Sequence, residues 1–86
     1  MKFMEEVVYM EAVYDYSLLK LRMKEFRLSQ QDLADEIGIS RVSLNKKLHN
    51  ITGFKQNEIK KICAILNIKD KYIRFYFFTN VVKKVE

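Results

Sequence analysis

The stretch Leu28-Ser29-Gln30-Gln31-Asp32-Leu33-Ala34-Asp35-Glu36-Ile37-Gly38-Ile39-Ser40-Arg41-Val42-Ser43-Leu44 decides the fold. Ser29 has the hydroxyl that caps a helix, and Asp32, three positions on, completes a reciprocal box around the first turn. Leu33, Ala34 and Ile37 then recur at helical spacing, so one face is apolar. Gly38 tolerates the left-handed conformation that ends a helix, which lets the chain turn and restart within two residues. Ser40 caps a second helix expected over Arg41 to about His49, with Leu44 and Leu48 facing inward. Ala34 is small enough for two helices to cross closely, and Ile39 plugs the turn between them. The pattern is helix, tight turn, helix.

Working outward, Asp15 is the expected cap of a helix from Tyr16 to about Arg27, with Leu19, Met23 and Phe26 on its inner face. Lys20, Arg22, Lys24 and Arg27 occupy its other sides. Asn50 to Gly53 reads as a loop, and Gln56 to Leu66 as a helix that buries Ile59, Ile62, Cys63 and Leu66 before Asn67 stops it. Lys71 to Val82 is dense in Tyr72, Ile73, Phe75, Tyr76, Phe77 and Phe78, which fits a fifth helix and equally a short helix running into a strand. The reading divides the chain into an accessory segment at 1–14, a helix-turn-helix domain at 15–70 and an aromatic segment at 71–86. In the first of these, Phe3, Val7, Met10 and Tyr14 line one helical face beside the acidic Glu5, Glu6 and Glu11, the pattern of a subunit contact.

Composition narrows the function classes. A chain of 86 residues has room for one domain. One cysteine cannot form an internal disulfide, and without a charged-then-apolar leader the expected compartment is the cytoplasm. No apolar run approaches the roughly 20 residues of a membrane span. One histidine and one cysteine leave no zinc quartet and no nucleophile–base set, and there is no glycine-rich phosphate loop, so neither an enzyme nor a cofactor or metal protein is expected. His49 reads as a surface residue and Cys63 as a buried thiol. Asp32, Asp35 and Glu36, at the spacing of a paired-carboxylate site, fit dipole compensation and solvation of a capped helix better.

Charge is unevenly placed. Up to Ser40 there are 5 basic and 8 acidic residues, and after it 11 basic and 3 acidic, so halves of −3 and +8 lie behind a net charge of +5. Such asymmetry suits a polyanion, nucleic acid first and an anionic membrane surface second.

Leu28 through Leu44 resembles the signature of the Cro/CI-type (XRE) phage repressor family: Leu-Ser-Gln-x-x-Leu-Ala, then a hydrophobic residue, Gly, Ile or Val, and Ser or Thr before the recognition helix. The likeness runs from about Asp15 to Phe78, and the closing Tyr76-Phe77-Phe78 resembles small Cro-like or repressor-modulating members. One departure stands out: many members carry a branched apolar residue three positions after that of Leu44, where this chain has Lys47. The resemblance implies an all-α, five-helix, lambda-repressor-like domain and a cytoplasmic transcriptional regulator that reads a double-stranded DNA operator.

In that setting Arg41 has the fork for guanine, Asn45 pairs with adenine, Val42 meets a thymine methyl and Lys46 reaches a base or a phosphate. Gln30, Ser40, Lys47, Thr52, Lys55 and Gln56 are the expected phosphate contacts. Operators of two half-sites require a two-fold dimer, for which Phe75, Phe77, Phe78 and Val81 are the candidate contacts; the same side chains can instead close the monomer's own core. The alternative is a protein-binding modulator, a helix-turn-helix scaffold that binds a repressor and has no DNA affinity of its own.

Overall fold

The computed structural model describes residues 13–81. The accessory segment therefore lies outside the described residues, apart from its last two, Val13 and Tyr14. The fold is all-α: α1 (Ser17–Glu25), α2 (Gln30–Ile37), α3 (Arg41–Leu48), α4 (Gln56–Ile65), a single 3-10 turn (Asp70–Tyr72) and α5 (Ile73–Phe77).

The decisive stretch folds as its residues dictate. The Ser29 hydroxyl accepts from the Asp32 amide and the Asp32 carboxylate accepts from the Ser29 amide, each at 3.0 Å. Gly38 adopts φ +82°, the left-handed geometry that glycine holds without strain. The amides of Gly38 and Ile39 both donate to the Ala34 carbonyl, so the turn closes on the helix it ends. Ser40 opens α3 by accepting from the Ser43 amide at 3.0 Å. Ala34 is fully buried where α2 packs against α3.

Leu19 and Met23 from α1, Leu33 and Ile37 from α2, Leu44 and Leu48 from α3, and Ile62, Cys63 and Leu66 from α4 meet in one core. Burial pushes the Cys63 thiol above its ordinary range, with the Asp70 carboxylate adding to the shift, so the thiol stays protonated and unreactive. Two other fastenings join parts distant in sequence. The Arg22 guanidinium donates to the carbonyls of Leu66 (2.9 Å) and Asn67 (3.0 Å), capping the C-terminal end of α4 from α1, where the helix dipole favours a cation. Aromatic rings join the two ends of the described chain: Tyr16 against Phe54 and Phe54 against Phe77, both edge-to-face at 5.4 Å, and Tyr14 against Phe78 at 5.8 Å.

Three expectations are corrected. α1 begins at Ser17 and ends at Glu25; Tyr16 is buried in the core, and Asp15 accepts from the Ser17 amide and hydroxyl just ahead of the helix. Phe26 is outside, because the helix has ended before the third position of the expected stripe, and its ring lies under the Arg22 guanidinium at 4.9 Å. The C-terminal segment forms no strand within the described residues. After α5 it makes one isolated antiparallel bridge, Tyr14 to Asn80, flanked by hydrogen bonds from Asp15 to Thr79 and from Val81 to Val13.

Phe77 is 1% exposed at the junction of α1, α5 and the α3–α4 loop. Phe77→Ala should therefore cost about 4 kcal/mol, measured as a lowered urea midpoint. At the other end of the core, hydrogen bonds from the amide and then the hydroxyl of Ser29 hold the Asp32 carboxyl below its ordinary 3.8. The stability it contributes is complete above that ordinary value and disappears as pH falls through the depressed one. An Asp32→Asn variant should lose this part of the acid dependence, visible as a flatter Tm against pH profile below 3.8.

Candidate functional site

α3 stands at the surface with Leu44, Lys47 and Leu48 turned inward and Arg41, Val42 and Lys46 turned out. Val42, at 62% exposure, is among the most exposed apolar side chains described. Asn45 is half-buried, and its amide nitrogen donates to Gln30 Oε1 at 3.2 Å. Two expected contact residues, one for bases and one for phosphate, are thus tied to each other across the α2–α3 crossing. Ser40 is exposed, but its hydroxyl is engaged as the cap of α3. Thr52, Lys55 and Gln56 are exposed around the loop and the start of α4.

Lys47 is the clear correction. Expected at a phosphate, it lies inside with Glu58: the two side chains are 9% and 7% exposed, with Nζ 3.2 Å from the carboxylate. Its ammonium also donates to the Gly53 carbonyl at 3.0 Å, while the same Glu58 oxygen accepts from the Lys55 amide at 2.8 Å. One buried ion pair therefore closes the whole α3–α4 connection. Sequence reasoning missed Glu58, although both signals were present: a cation at an inward-facing helical position, and an acid three residues after a helix's expected start. Asn50 was also missed as a partner. At φ +63° its side-chain amide pairs with the backbone of Tyr14, accepting at 2.8 Å and donating at 2.9 Å.

α2 presents the opposite charge. Asp32, Asp35 and Glu36 are all exposed, and Asp35 accepts from Gln31 one turn earlier at 2.8 Å. No basic residue lies within α2. α2 thus exposes carboxylates, and α3 exposes Arg41 and Lys46. A phosphate backbone approaching α2 would meet like charge.

Of the four candidate dimer contacts, Phe77 belongs to the monomer core, a second correction, because its ring is consumed by Phe54 and the helices around it. Phe75, Phe78 and Val81 remain exposed. No three His, Cys, Asp or Glu side chains come together as a metal site among the described residues. No described helix is long and apolar enough to cross a membrane.

Removing one partner of the buried pair strands the other charge. Lys47→Met alone should destabilise the domain by about 3 kcal/mol, a loss that urea unfolding followed by circular dichroism would register. A wild-type midpoint in that variant would show that the pair carries no such constraint.

No curated protein matches the chain. Among solved structures, the solution structure of the modulator of repression (MOR) of the temperate bacteriophage TP901-1 from Lactococcus lactis is similar at 33% identity and a TM-score of 0.63. The match covers 80% of this chain and 90% of that one. The family model and this solved structure do not name the Cro/CI-type family that the sequence resembles. A family model described as "Protein of unknown function (DUF739)" matches residues 12–80, and the chain belongs to that family.

Proposed function

We propose that this protein is a protein-binding modulator of a phage repressor, acting in the cytoplasm through its α2–α3 face, with no catalytic role. The observation that carries the reading is the likeness, at 33% identity, to a phage modulator of repression. Asp32, Asp35 and Glu36 stand exposed along α2, which has no basic residue of its own. A repressor's own DNA-binding surface must be basic to neutralise phosphates, so a partner with an acidic edge on the same kind of scaffold can occupy it in place of DNA.

A second reading is favoured by the exposed guanidinium fork of Arg41 and the exposed ammonium of Lys46 on α3. In it the protein binds double-stranded DNA directly. Arg41, Val42, Asn45 and Lys46 read bases, and Gln30, Ser40, Thr52, Lys55 and Gln56 meet phosphates. A homodimer through Phe75, Phe78 and Val81 spans two half-sites. Asn45 would first have to leave Gln30.

The two readings part in one titration. The repressor of the phage or prophage that carries this protein is bound to labelled operator, and this protein is added near physiological salt; in parallel it is offered random duplexes without repressor. Changed operator occupancy in the first arm and no enriched sequence in the second are expected. Enrichment of a two-half-site motif, with repressor occupancy unchanged, would replace the modulator by the direct DNA binder.

A further inference from the structure

The 3-10 turn after α4 sorts charges that alternate along the chain. Lys69 and Lys71 line one depression of about 250 Å³ together with Arg22, Asn67, Tyr72 and Tyr76, whereas Asp70, between the two lysines, lines a different one beside Cys63. None of the residues lining the first is acidic. Glu25, which meets the Arg22 guanidinium at 3.3 Å, is not among them. The frame is fixed from both sides: Arg22 holds the Leu66 and Asn67 carbonyls from α1, and the Tyr72 amide donates to the Lys69 carbonyl at 2.8 Å.

From this depression onto α5, cations and rings form a continuous row. The Lys71 ammonium is 5.3 Å from the Tyr72 ring centre, the Tyr72 and Phe75 ring centres are 6.4 Å apart, and the Arg74 guanidinium is 5.2 Å from the Phe75 ring. Both rings are exposed, as are Lys69, Lys71 and Arg74, and no carboxylate of the described residues forms an ion pair with these three cations. Cations without local counter-charge attract an anionic ligand. An acidic peptide would engage the ammonium groups and leave the rings in water, and duplex DNA keeps the faces of its bases inside the stack. A single strand offers phosphates to the cations and unstacked bases to the rings.

We infer that this edge of the molecule binds single-stranded nucleic acid, with Lys69 and Lys71 at its phosphates and the Tyr72 and Phe75 rings against its bases. Stacking uses the face of a base and not its edge, so the site tolerates many sequences. It draws on no residue of α2 or α3 and does not depend on the modulator reading.

The test follows the fluorescence anisotropy of a labelled oligothymidylate of about 12 nucleotides, titrated with the whole chain at low salt and again as salt is raised, with Tm recorded for every variant. Wild type should bind, less tightly as salt rises. The double variant Lys69→Gln, Lys71→Gln should flatten the log-log salt dependence by about 1.4, and Tyr72→Ala should weaken binding by about tenfold, both with Tm unchanged. Should Tyr72→Ala lower Tm, Phe75→Ala makes the same measurement at the neighbouring ring. A variant with Arg41→Ala and Lys46→Ala on α3 should bind as wild type does. No binding by wild type, or binding lost with Arg41 and Lys46 and kept without Lys69 and Lys71, would overturn the site. Displacement of the strand by polyglutamate, or by a duplex of equal length, as readily as by unlabelled strand would overturn the single strand as its ligand.

Discussion

The buried contact between Lys47 and Glu58 is the constraint on which the rest of the molecule depends. A helix-turn-helix unit held only by the α2–α3 crossing would have its second helix anchored at one end. Here the far end of α3 is fixed as well, because the Lys47 ammonium binds both the α4 carboxylate and the loop carbonyl between the two helices. Neither charge can leave without exposing the other to an apolar interior. Around that fixed helix the aromatic rings of Tyr16, Phe54 and Phe77 pack in turn, so the loop's position also governs how the C-terminal segment closes the core.

Charge distribution in the folded chain differs in kind from charge distribution along the sequence. The basic second half suggests a polyanion, but folding removes Lys47 from the surface and leaves the carboxylates of α2 exposed. The exposed side chains are acidic along α2 and include the cations Arg41 and Lys46 on α3.

Much of the fold was legible because its signals are local. Ser29, Asp32, Gly38 and Ser40 each act on backbone groups within a turn of themselves, and both helices they bound begin where those residues indicate. Ala34, Leu33 and Leu44 were readable from spacing. Phe26 was misread because periodicity continued past the point where the helix stopped. The C-terminal aromatics resisted reading because a short apolar run carries no period, and only the packing of Phe54 against Phe77 decides which ring turns inward. In the candidate site, Arg41, Val42 and Lys46 were placed outside correctly by helix phase. Lys47 and Asn45 were not placed, since each is governed by a partner from another element, Glu58 in one case and Gln30 in the other.

The bridge between Tyr14 and Asn80 sets the order of events in folding. Contacts between α2 and α3 join neighbours in sequence and need only a short loop to close, whereas the bridge joins the two ends of nearly the whole described chain. The entropy of closing so long a loop is lost before its few hydrogen bonds and ring contacts are gained. The helix-turn-helix unit is therefore the natural nucleus, with the terminal clasp forming last and opening first. Because Tyr14 also holds Asn50, opening of that clasp would release the α3–α4 loop together with the two ends.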